Sequence, residues 1–81
     1  MLEELQHENK LIGMKQVSRS LREGEVIHRV YVAQDADHDL VEKISRLAKE
    51  HEVEVVLVES RKKLGRTCGI DVGATVVAVL K

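Results

Sequence analysis

The sequence predicts an α/β fold, with helices on both faces of a small sheet, and three observations carry that reading. Two runs rich in β-branched residues, VIHRVYVA at 26–33 and VEVVLV at 53–58, read as buried strands. Between them Leu40, Val41, Ile44, Leu47 and Ala48 recur at helical spacing. A third β-branched run, ATVVAVL at 74–80, follows a further helical segment.

Taken in chain order, the first helix begins near Gly13 and ends at Gly24, with Met14, Val17 and Leu21 on one side. At about 100° per residue, Lys15, Gln16, Arg19 and Arg22 fall on the opposite side. The strand at 26–33 is bounded by REGE before it and QDADHD after it. The central helix keeps Glu42, Lys43, Arg46, Lys49 and Glu50 off its apolar stripe. Asp37 or Asp39 starts it, since either carboxylate can accept from free backbone N–H groups, and Asp39 with Glu42 has capping-box spacing. Strand, helix and strand then follow with short joins, and a right-handed crossover sets the two strands parallel. A helix from about Ser60 to Cys68 takes Ser60 as N-cap and Gly69 as its left-handed C-terminal residue.

A chain of 81 residues holds one domain, 1–81, with a core just sufficient for independent folding. Hydrophobic residues make up 43% and charged residues 33%, yet Trp, Phe and Pro are absent and Tyr31 is the single tyrosine, so the core is aliphatic. No apolar run approaches the roughly 20 residues of a membrane span, and MLEELQHENK lacks the basic start and apolar stretch of a secretory signal, so a cytoplasmic location is expected. Cys68 has no partner within the chain for a disulfide, in keeping with a reducing compartment. A formal net charge of −1 does not advertise a polyanion partner. The distribution is more telling. Acidic residues gather at Glu3, Glu4, Glu8, Glu23, Glu25, Asp35, Asp37 and Asp39, while Lys15, Arg19 and Arg22 form one basic group and Arg61, Lys62, Lys63 and Arg66 another.

Several chemistries are weakly signalled. DADHD resembles a calcium loop, but a loop starting at Asp35 needs glycine and glutamate where Leu40 and Arg46 stand, and capping accounts for these aspartates better. His7, His28, His38 and His51 are scattered without zinc-site spacing, so no metal is expected. Cys68 lies near Lys63 and Arg66, which would favour a thiolate, but no base is in view and a small buried hydrophobe is the simpler role. GRTCG carries neither the dinucleotide fingerprint nor the terminal Gly-Lys-Ser/Thr of a phosphate loop. The basic groups remain. Lys15, Gln16 and Arg19 follow Gly13 at a helix start, where exposed N–H groups and the helix dipole favour a phosphate. Amide and guanidinium side chains there can also reach base edges. With a single Tyr the chain has no aromatic stacking platform, so shape-specific recognition of a structured RNA fits better than single-strand binding.

Three motifs in order, GMKQVSR at 13–19, AQDAD at 33–37 and LGRTCGIDVGA at 64–74, give a resemblance that covers nearly the whole chain from about residue 11. The chain resembles the kink-turn RNA-binding ribosomal protein family, and most closely its short bacterial branch. The resemblance implies a three-layer α-β-α sandwich with a small mixed sheet, no catalysis and no cofactor. It implies a grip on a kink-turn, a sharply bent RNA helix flanked by tandem sheared G·A pairs, and stabilisation of the bent form. In family terms the helix start at Gly13 and Met14 approaches the RNA backbone, and Lys15, Gln16 and Arg19 reach the G·A pairs and neighbouring phosphates. The loop of Ile70, Asp71 and Val72 packs over bulged bases, and Lys63 and Arg66 assist with phosphates. Many relatives carry Asn then Glu where this chain has Lys15 and Gln16, and often a small hydroxyl residue where it has Met14. A lysine there implies a phosphate contact more than a base edge.

The partner expected is therefore a structured RNA, whether ribosomal RNA, a riboswitch or another transcript, met by a monomer with no role for DNA or membrane. A protein-interaction or small-ligand module, in which the glycine-rich segment meets a protein or metabolite, is the competing class. A thiol enzyme built on Cys68 is the third.

Overall fold

The computed structural model describes residues 9–80. Seven elements follow in the order β1 (Lys10–Ile12), α1 (Met14–Arg22), β2 (Ile27–Ala33), α2 (His38–Glu50), β3 (Glu54–Val58), α3 (Arg61–Thr67) and β4 (Val76–Leu80). The strands form one mixed sheet in the order β1-β4-β2-β3. β2 and β3 are parallel with Val30 opposite Val55, as the strand-helix-strand reading requires, while β4 runs antiparallel to both β1 and β2.

Alternation along the strands divides the core into two layers, because successive strand residues face opposite sides of the sheet. On one side Val30, Val32, Val76 and Ala78 meet Val17 and Leu21 of α1 and Ile44 and Ala48 of α2. On the other Tyr31, Val58, Val77 and Val79 meet Leu64 of α3 and Cys68 at its end. Two helices cover one face and one covers the other, the expected α-β-α sandwich. The core is aliphatic save for Tyr31, which is fully buried.

Local chemistry sets the boundaries. Asp37, and not Asp39, caps α2: its carboxylate accepts from the Asp39 N–H at 2.9 Å. The expected Asp39–Glu42 capping box is not formed, because Asp39 already lies in the first turn of the helix. Glu42 turns instead to Arg46, at 3.0 Å. Ser60 caps α3 by accepting from the Lys63 N–H at 3.1 Å, and Gly69 follows with φ of 80°. The sequence reading did not contain β1, and it began the last strand at Ala74, two residues before β4. Among the described residues no helix is long and apolar enough to cross a membrane.

Candidate nucleic-acid interface

The antiparallel placement of β4 brings one edge of the sheet together. The carboxyl ends of β1, β2 and β3 lie there with the amino end of β4, since Ile12 pairs with Val77 and Val32 with Val76. All three helices begin at this edge. The crevice outside the carboxyl ends of strands is the usual ligand site of open α/β sheets.

Gly13 joins β1 to α1 with φ 110° and ψ 150°, a conformation open to glycine and strained for other residues. Its N–H donates to the Val76 carbonyl at 3.0 Å, which fixes the start of α1 to the start of β4. Among the described residues no side chain caps α1 and no acidic residue stands in its first turn, so its first N–H groups and the positive end of its dipole have no side-chain acceptor there. Lys15, Gln16 and Arg19 are exposed on the outer side. Gln16 and Arg19 share a cleft with Leu11, Ser20, Glu23 and Glu25. Arg19 is already engaged: its Nε donates to Glu23 Oε1 at 2.9 Å, and that pairing raises its pKa above the ordinary value. Met14 is half-buried against the α1–α2 core, so it serves packing as well as lying at the helix start.

The second half of the site is the segment 69–73, which folds back along α3. The Ile70 N–H donates to the Gly65 carbonyl at 3.1 Å, and the Ala74 N–H donates to the Arg61 carbonyl at 3.0 Å. Gly65 permits this close return, since a Cβ there would overlap the Val72 carbonyl. Ile70 is half-buried against the α3 core layer, whereas Asp71 is exposed and Val72 is 70% exposed. Ile70, Asp71 and Val72 line one cleft with Lys62, Arg66 and Gly73. Lys63 faces the neighbouring cleft of Ser60, Lys62, Arg66 and Thr67, with Nζ 3.6 Å from Glu59. Cys68 is buried, and burial pushes its thiol pKa up, slightly opposed by the charge of Lys10. A thiol so placed is packing and not a nucleophile.

Of the sequence-predicted residues, Gln16 and Arg19 share a cleft on α1, Arg66, Ile70, Asp71 and Val72 share one between α3 and its returning loop, and Lys63 lines a neighbouring one with Arg66, while Gly13, Met14 and Lys15 line none of these. The fold also adds residues. Lys62 lines both clefts on α3 and a third with Asp35, Arg61, Gly73 and Thr75. Among the described residues Lys62 and Arg66 have no ion pair, whereas Arg61 lies 3.6 Å from Asp35, whose carboxylate also accepts from the Arg61 N–H. The four-residue spacing of Lys62 and Arg66 was visible in sequence as one helix face. The same spacing of Arg19 and Glu23 was equally visible, and it shows that a basic residue at the site is neutralised.

Comparison with known proteins finds similarity along nearly the whole chain. A model of the ribosomal protein L7Ae/L30e/S12e/Gadd45 family matches residues 2–81. An RNA-binding protein of Geobacillus sp. (strain WCH70) is 44% identical over 77 residues, covering 95% of this chain and 93% of its own length. RNA-binding protein YbxF of Geobacillus stearothermophilus is 49% identical over 71 residues, covering 88% and 85%. Among solved structures, a Giardia lamblia 15.5kD RNA binding protein has the same fold, with TM-score 0.87 at 23% identity over 99% of this chain and 70% of that one.

Proposed function

The chain belongs to the ribosomal protein L7Ae/L30e/S12e/Gadd45 family, and from that premise we propose that it is a non-enzymatic RNA-binding protein that recognises kink-turn RNA and holds it in the bent form. The observation that carries the reading is the convergence at one sheet edge of the uncapped α1 start, the exposed Gln16, and the apolar tip at Val72 beside Lys62 and Arg66. Curated relatives named as RNA-binding proteins support the RNA class.

The arrangement divides the work. Lys15, Arg19, Lys62 and Arg66 supply phosphate contacts, which give affinity that falls with salt and carry no sequence information. The α1 amides add an anion-binding end. Gln16 has both donor and acceptor for base edges, and Val72 offers an apolar cover for unstacked bases. A straight helix meets only the cations. A bent RNA that presents base edges to α1 and a bulge to residues 70–72 meets both halves. The RNA samples both forms, and the protein shifts the population because it has more contacts with one of them.

A mobility-shift titration tests this. The protein is expected to bind a kink-turn far more tightly than the same RNA with its G·A pairs replaced by Watson–Crick pairs. Equal binding to both would contradict the reading, and a shallow salt dependence with tolerance of changes at 15, 16 and 19 would favour a protein or small-ligand partner instead.

A further inference from the structure

The cleft that presents Gln16 and Arg19 is walled by two carboxylates, Glu23 and Glu25. They are not incidental neighbours. Arg19 is 75% exposed at its side chain, free to sweep through solvent, yet it is held by Glu23 one turn further along α1, at 2.9 Å. Glu25 is fixed as well: the hydroxyl of Ser20, itself only 3% exposed, donates to its carboxylate. Both carboxylates raise the pKa of Arg19, Glu23 by hydrogen bond and charge and Glu25 by charge alone. The guanidinium aimed at the α1 cleft is therefore already occupied by an anion, whereas Lys15 at the helix start has no ion pair among the described residues.

Resting on the RNA reading of α1, we propose that Glu23 is an intramolecular competitor for Arg19, a carboxylate standing where an RNA phosphate or base edge must go. A guanidinium makes the same forked, charge-assisted hydrogen bonds to a carboxylate as to a phosphate. RNA therefore gains the Nε–H of Arg19 only by displacing Glu23 from it. The consequence is a lowered general affinity for polyanions at the site. That suits a chain whose net charge of −1 already gives little long-range attraction. Glu25, tied to Ser20, keeps the far wall of the cleft negative.

Four proteins test it: the unaltered chain, Glu23→Gln, Arg19→Ala, and the double variant, each titrated with a kink-turn RNA and a straight duplex at several salt concentrations. Glutamine is nearly the shape of glutamate, so the helix is undisturbed. Glu23→Gln is expected to tighten binding about threefold to fivefold and to steepen the salt dependence by about one phosphate contact. With Arg19 replaced by alanine, the gain from Glu23→Gln should shrink below about twofold, since nothing is left to release. No gain from Glu23→Gln, or a gain of equal size with and without Arg19, overturns the proposal. The latter result would mean that Glu23 acts as a distant charge. If Arg19→Ala binds the kink-turn as well as the unaltered chain, α1 is not the interface, and the RNA reading of that helix fails along with the competitor.

Discussion

At the scale of single residues, Gly13 and Gly65 illustrate two different demands on glycine. Gly13 is set by backbone conformation, and nothing surrounds the place where its Cβ would be. Gly65 is set by contact, because a Cβ would meet the Val72 carbonyl and lie 3.2 Å from the Ala74 nitrogen. Gly65→Ala is therefore expected to push the 69–73 loop off α3, at a cost of about 1–3 kcal/mol in a urea-unfolding experiment, together with weaker RNA binding. Unchanged stability would mean that the loop rests elsewhere. Sequence reasoning could place Gly13 at a helix start, but the role of Gly65 needs a chain segment seven residues away to be seen in space. At the same scale, replacing Gln16 or Arg19 with alanine is expected to weaken kink-turn binding about tenfold, the loss of a specific contact, while Lys49→Ala on the remote helix leaves it unchanged. Equal damage from Lys49→Ala would put the interface on another face.

At the scale of elements, the best-read helices were those with both a pattern and a cap. Ser60 ahead of α3 and Gly69 after it were read correctly because capping is local chemistry. Ser60→Ala removes the acceptor for the Lys63 N–H and should cost about 1 kcal/mol, measured by urea unfolding. In the sequence the start of α2 is open between two aspartates, and only the geometry of the turn selects Asp37. β1 escaped the sequence reading for a plain reason. Three residues carry no periodicity, and Lys10–Ile12 becomes a strand only because β4 offers it an edge. The strand bears on function, since β1 is what delivers Gly13, and with it the start of α1, to the start of β4, where the Gly13 N–H bonds the Val76 carbonyl. Both halves of the candidate site are legible as motifs, but their common place at one edge of the sheet is not.

At the scale of the whole molecule, one of the two core layers and one half of the candidate site depend on the same α3. Cys68 belongs to that core, and its raised pKa gives a pH dependence of known sign. The folded state prefers the neutral thiol, so the stability gained by burying it is complete below the ordinary value of 9.0 and is lost as pH rises past it. Thermal unfolding is expected to fall at the alkaline end, and Cys68→Ala to flatten that fall. An identical alkaline decline in Cys68→Ala would assign the effect to other groups. For binding, the whole-molecule requirement is energetic. Taking an RNA from almost entirely straight to almost entirely bent needs a preference of about 5 kcal/mol for the bent form. Phosphate contacts are shared by both forms and cannot provide it, so contacts that exist only in the bent form must. The account thus predicts a change of RNA shape and not only of RNA mobility. An RNA kink-turn labelled with donor and acceptor dyes on its two arms, titrated with this protein in a buffer where the free RNA is mainly straight, measures that shape directly. Energy transfer should rise to a plateau with the kink-turn and stay flat when its G·A pairs are replaced. Binding with no rise in transfer, or the same rise for both RNAs, would contradict the account.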